Sequence, residues 1–124
     1  KRRINVMSFG FKYGIPLDAD LVADMRFLSN PYWIDELRHL TGRDEAVSDY
    51  VLPLPRATEF IDKYVEALMP VFEGYTHEEK RYATIAVGCT GGKHRSVATS
   101  REIAKRLRAL GFAVVVSDRD LGKE

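Results

Sequence analysis

The run Cys89-Thr90-Gly91-Gly92-Lys93-His94-Arg95-Ser96 puts a thiol, two hydroxyls, an imidazole and two fixed cations within eight residues. Gly91 and Gly92 carry no Cβ, so the backbone amides around them are free to approach a ligand and to adopt positive φ. Lys93 and Arg95 each bring a charge, and a protonated His94 would bring a third. A helix beginning near Ser96 would aim unpaired N–H groups and its positive dipole end at the same point. Amides, dipole, cations and hydroxyls together describe a phosphate or sulfate site. The bland alternative is a tight strand-to-helix turn whose charges are simply solvated.

Two known phosphate loops can be laid over this spacing. A Walker A loop needs a glycine five residues before Gly92 and a hydroxyl after Lys93. Val87 and His94 occupy those places, so the segment is not a nucleotide-hydrolysing P-loop. Cys89, five residues and then Arg95-Ser96 does match the C-x5-R-S/T pattern of cysteine-dependent phosphatases. There the thiolate attacks phosphorus and the arginine holds the equatorial oxygens. Asp18, Asp20, Asp118 and Asp120 are the candidate general acids, and the sequence selects none of them. The competing reading of Cys89 is a small residue packed at a strand end.

The elements around the loop follow from periodicity. Ile4 to Phe11 alternates as a strand and runs into a loop with Gly10, Gly14 and Pro16. Asp18 and Asp20 before Leu21-Val22-Ala23 suggest a short capped helix, and Met25 to Leu28 a second strand. Tyr32 to Leu40 has room for two helical turns, and Thr41 to Asp44 reads as a turn. From Arg56 the apolar positions Ala57, Phe60, Ile61, Tyr64, Val65, Leu68 and Met69 form an amphipathic helix that Pro70 kinks or interrupts. Tyr82 to Val87 is a buried strand. A helix from Val97 is stopped by Gly111, and Phe112 to Ser117 is a strand too apolar for an edge wet on both faces. Strand, loop, helix, strand is a βαβ unit. The expected fold is α/β in three layers, a mostly parallel sheet of about four strands, with the anion loop at a strand's carboxyl end.

Composition narrows the field further. The 124 residues form one domain, 45% hydrophobic and 30% charged, as a globular protein is. No apolar run is long enough to span a membrane, and one cysteine fits a reducing, cytoplasmic setting. Nineteen Lys+Arg against eighteen Asp+Glu leave no global charge for nucleic acid. A local stripe remains: Arg101, Lys105, Arg106 and Arg108 continue from the anion loop along one helix. It reads either as a solvated face or as a binding surface for RNA phosphates. Lys12 and Tyr13 follow the first strand and would lean over the same ligand as the loop. Asp24 and Arg26 suit a structural ion pair, while Tyr32 and Trp33 suit core or interface equally. His39 and His77 have no metal-ligand spacing. The chain opens Lys1-Arg2-Arg3 without Met, as a domain of a longer protein would.

Three long motifs, SFGFKYGIPLDADLVADMRFLSNPYW (8–33), GCTGGKHRSV (88–97) and DRDLGKE (118–124), resemble the C-terminal domain of the RapZ/YvcJ family of RNase adapter and nucleotide-binding proteins. The resemblance covers essentially the whole chain and is weakest over 41–81. It implies an N-terminal P-loop kinase-like domain, absent from this chain, that binds and slowly hydrolyses ATP and GTP. It implies that residues 1–124 are a non-catalytic regulatory domain with no cofactor of its own. Such a domain would bind small RNA for presentation to a ribonuclease and sense an amino-sugar phosphate in the control of glucosamine-6-phosphate synthesis. Carried over, the ligand site comprises Thr90, Gly91, Gly92, Lys93, His94, Arg95 and Ser96 with the Lys12-Tyr13 loop. Enterobacterial members tend to carry His where this chain has Tyr13. A phenol brings no charge to a phosphate but stacks on rings, so UDP-N-acetylglucosamine stands beside glucosamine-6-phosphate as the expected ligand. A homodimer or higher oligomer is also implied.

Overall fold

The computed structural model describes residues 3–123; Lys1, Arg2 and Glu124 of the closing motif lie outside the described residues. Strands β1 (Arg3–Gly10), β2 (Leu21–Asp24), β3 (Tyr82–Cys89) and β4 (Ala113–Asp118) pair in parallel in the order β2-β3-β1-β4. Helices α1 (Asp35–Arg38), α2 (Glu45–Val51) and α3 (Pro55–His77) join β2 to β3, and α4 (Arg95–Ala109) joins β3 to β4. This is the α/β architecture that the βαβ pattern predicts, with β1 lying between the two strands of that unit.

Strand alternation decides what each face meets. Ile4 and Val6 of β1, with Ile85 and Val87 of β3, are buried in one core with Ile61, Val65, Leu68 and Phe72 of α3 and Ile103 and Leu107 of α4. On α3 the buried positions Ala57, Ile61, Val65, Leu68 and Phe72 recur at steps of three and four, so one stripe does the packing. The opposite face is covered differently. The β1–β2 connection crosses the sheet in the opposite direction to the other two, so right-handedness sends it over the other side. Phe11, in a 3-10 turn (Phe11–Tyr13), there meets Phe9 at 4.8 Å between ring centroids. A Cβ on Gly88 would lie 2.4 Å from the Phe9 ring, so that position admits only glycine. The third layer is thus a loop rather than a helix.

Several sequence expectations are corrected. Residues 21–24 are strand, not helix, and 25–28 are a turn. The Asp20 amide donates to Thr84 O and its carboxylate accepts from the Thr84 amide, which starts a ladder beside β3 that ends at Met25 N–H to Gly88 O. Tyr32 to Leu40 divides into a 3-10 turn (Pro31–Trp33) and the single turn α1. Helix α2 had no sequence counterpart. Helix α3 runs on through Pro70 to His77. Strand β4 is an edge, kept from full exposure because Val114 and Val116 pack on the core while Val115 faces out. No helix among the described residues is long and apolar enough to cross a membrane.

Candidate functional site

The loop after β3, the 3-10 turn after β1 and the turn after β2 meet at the carboxyl edge of the sheet, around a cleft of about 500 Å³. Parallel α/β sheets place their ligand sites at this edge. Of the loop residues singled out in the sequence, Lys12, Cys89, Thr90, Gly91, Lys93, His94 and Arg95 line the cleft. The Lys12 amide donates to Thr90 O at 3.2 Å and so ties the two loops together. Gly92, Ser96 and Tyr13 do not line the cleft. Gly92 has φ +75°, and a Cβ there would lie 2.6 Å from Gly10 N. That glycine serves the close packing of two backbone loops rather than the approach of a ligand. Ser96 is fully buried; its Oγ accepts from Cys89 Sγ at 3.1 Å and its amide donates back to that sulfur. The ring of Tyr13 lies under the ammonium groups of Lys12 and Lys123, each 5.2 Å from its centroid.

Burial changes the roles of the charged residues. Arg95 is 4% exposed and spans to the β2 side, donating to the carbonyls of Arg26 and Leu28 and to Thr90 Oγ1. Its buried Nε bonds to nothing among the described residues. His94 donates from Nε2 to Arg38 O at 3.1 Å. Burial pushes its pKa down, with that hydrogen bond opposing, so the ring is neutral at pH 7 and supplies no third charge. Lys93 Nζ reaches the same Arg38 carbonyl at 3.1 Å and still lines the cleft. Helix α4 starts after His94, which gives no side-chain cap, and the Ser96 amide of its first turn is taken by Cys89 Sγ.

Asn30, Tyr32 and Trp33 complete the wall, and the sequence reading missed their role. The signal was present, because Ser29-Asn30-Pro31-Tyr32-Trp33 follows the end of β2 just as the glycine loop follows β3. Asn30 caps the 3-10 turn through Oδ1, and Tyr32 and Trp33 stand edge to face at 5.0 Å. None of the candidate acids lines the cleft. Asp20 holds Thr84 and Lys80. Burial alone would raise the carboxyls of Asp118 and Asp120, but their bonds win. Arg101, Ser8 and Arg43 hold Asp118 below its usual range, and Arg119, the Gly10 amide and Lys123 hold Asp120 at about 2. Both are anchors, ionised at neutral pH, and unsuited to donate a proton.

The family profile of the RapZ C-terminal domain matches residues 2–122. The chain belongs to that family. It is 66% identical over 123 residues to a nucleotide-binding protein of Clavibacter michiganensis, covering 98% of this chain and 42% of that protein. A nucleotide-binding protein of Leifsonia xyli is 63% identical over 123 residues, with the same coverage. One from Streptomyces coelicolor is 62% identical over 122 residues, covering 98% of this chain and 41% of its own. The chain thus spans about two fifths of the length of the curated relatives it matches.

The basic stripe of this RapZ C-terminal domain is largely spent within the fold. Arg101 pairs with the buried Asp118 at 2.9 Å, and Arg106 pairs with Asp62 and Glu102. Arg108 donates to Val114 O. Lys105 is exposed, with no ion pair among the described residues. Asp24 and Arg26 form the expected ion pair, at 2.7 Å, on the exposed edge of β2. No group of three His, Cys, Asp or Glu residues among those described could hold a metal ion.

Proposed function

We propose that this domain is a regulatory module that binds a phosphorylated amino sugar or a sugar nucleotide in the cleft between the 90–95 loop and Trp33. Control of amino-sugar and cell-envelope precursor synthesis in the cytoplasm is the setting that fits this ligand class. The carrying observation is a concave site at the sheet's carboxyl edge whose side-chain charges are all positive. An anion placed there meets Lys12, Lys93 and the positive dipole end of α4. The relatives are named nucleotide-binding proteins. In a full-length protein, ATP and GTP belong by this reading to the remaining three fifths, and a homodimer or larger assembly brings copies of the cleft together.

A cysteine-dependent phosphatase is the less favoured reading. Cys89 lines the cleft, but it is only 3% exposed and its thiol is bonded to Ser96, Arg95 is turned to backbone carbonyls, and no cleft-lining carboxylate would protonate a leaving group. RNA binding, with a ribonuclease as partner, comes second among the binding roles. Its support is Lys105 and Arg108, exposed on α4 and free of carboxylates.

Calorimetric titration of glucosamine-6-phosphate and UDP-N-acetylglucosamine tests the reading. Saturable binding without turnover is expected, and Lys12→Ala or Lys93→Ala should each weaken it about tenfold by removing a charge-assisted contact. Affinity unchanged in both variants, or heat that persists after each injection, overturns it.

A further inference from the structure

The aromatic wall of the cleft is carried by a lightly anchored segment, and the glycine loop holds that segment down. Residues 31–40 contain one 3-10 turn and the single turn α1, with only Pro31 and Leu37 buried among them. Short turns with few buried side chains lie at the low end of local stability. Arg38 rivets the two turns together. Its Nε donates to Tyr32 O at 2.8 Å, its Nη2 pairs with Asp35 at 3.0 Å, and its guanidinium lies over the Tyr32 ring. Tyr32 and Trp33, set at 88° to one another as a corner of the cleft wall, are thereby joined to α1 in one strap.

Three consecutive residues of the glycine loop tie this strap along its length. Before it, Arg95 Nη1 donates to Leu28 O at 3.0 Å. After it, the Gly42 amide donates to Lys93 O at 2.9 Å, and a Cβ on Gly42 would lie 2.5 Å from both His94 O and Ala98 N. Both ends are thus fixed to the loop. Between them, Lys93 Nζ and His94 Nε2 converge on Arg38 O, each at 3.1 Å. The two donors differ in what else they can hold. A neutral imidazole has one N–H, which His94 gives to the carbonyl. An ammonium has three, so Lys93 keeps two for an anion in the cleft that it lines.

We propose that residues 31–40 are a strap that an anion in the cleft tightens, through Lys93 and the Arg38 carbonyl. The inference rests on the cleft being the ligand site proposed above, and adds how occupancy of that site reaches the surface. The Lys93 ammonium ends a flexible four-carbon stem. An anion fixes it from the cleft side, so the bond to Arg38 O is held for more of the time and the strap is ordered with it. Glu36 and His39, exposed on the strap, carry that change outward. Such coupling is reciprocal, so whatever loosens the strap also weakens the anion's binding.

Amide hydrogen exchange reads the strap directly, through the Leu37, Arg38 and Leu40 amides that close its turns. The whole chain is saturated with whichever of glucosamine-6-phosphate and UDP-N-acetylglucosamine binds in calorimetry. These amides should then slow by about fivefold or more, while those of α3 stay unchanged. In Lys93→Ala, brought to saturation at its weaker affinity, the slowing should vanish. Arg38→Ala removes a side chain that does not line the cleft, yet should weaken binding about fivefold. Strap amides unmoved at saturation, equal slowing in Lys93→Ala, or unchanged affinity in Arg38→Ala overturns the coupling and leaves the ligand site standing. Silence of both compounds in calorimetry overturns the site, and the coupling with it.

Discussion

The cations of the 90–95 loop and those of α4 are the same residue types, a few positions apart on one helix and its leading loop, yet the fold treats them in opposite ways. On α4, Arg101 and Arg106 face carboxylates: Asp118 for the first, Asp62 and Glu102 for the second. In the loop, Lys93 and Arg95 bond to neutral oxygens only, the carbonyls of Arg26, Leu28 and Arg38 and the hydroxyl of Thr90. A carbonyl orients a cation without cancelling its charge. The loop therefore keeps its charge uncancelled, while the helix has already neutralised much of its own. A count of Lys and Arg along the sequence does not distinguish these cases; the partners do.

The largest break in this contrast should come from Arg95. Its guanidinium is buried and joins the β3–α4 loop to the carbonyls after β2. Arg95→Met strips hydrogen bonds from the buried Leu28 carbonyl and the part-buried Arg26 carbonyl, and should cost about 3 kcal/mol in urea unfolding. Arg101→Met leaves Asp118 still bonded to Arg43 and Ser8, and should cost about 1 kcal/mol. Equal losses would erase the distinction between a buried tether and a paired surface charge.

Acid sharpens the same contrast from the carboxylate side. Asp118 and Asp120 titrate below their unfolded value near 3.9, with Asp120 at about 2. A depressed carboxyl pKa gives stability that is complete above the unfolded value and is lost as pH falls through the folded one. The chain should thus hold its stability down to about pH 4 and lose it between there and about pH 2. Asp120→Asn, which cannot titrate, should flatten that fall while lowering stability at pH 7. An unchanged acid limb in the variant would remove Asp120 as an anchor.

Much of this was legible in the sequence, and what was not has a common cause. β1, α3, β3 and α4 declare themselves through period two or period 3.6, because each buries one face along its own length. β2 does not. Four residues are too few to show a period, and its strand identity comes from pairing with residues sixty positions away at Thr84 to Gly88. The glycine loop was legible as a candidate site because its glycines, cations and helix start are contiguous. Arg95's tether was not, since its acceptors lie at Arg26 and Leu28. Nor was the Tyr32–Trp33 corner, which becomes part of a site only once β2 is placed beside β3. Three of the aspartates that looked like candidate acids belong to the same class: Asp20 holds Thr84, and Asp118 and Asp120 reach back to β1 across more than a hundred residues.

The smallest predicted effect tests α4 itself. An RNA strand lying along this helix meets two cations without carboxylate partners, Lys105 and Arg108, although four stand in the sequence. Single-stranded nucleic acid releases counterions with a log–log salt slope of about −0.7 per neutralised phosphate. Two free cations predict a slope of about −1.4, and four would give about −2.8. Arg106→Ala should leave that slope unchanged and cost only about 0.5 kcal/mol of stability, as exposed ion pairs do. Lys105→Ala should reduce the slope by about half. A slope near the four-cation value, or one that drops with Arg106→Ala, would mean that RNA competes successfully with Asp62 and Glu102 for Arg106. The helix would then hold its charge in reserve, and the contrast with the loop would be one of degree.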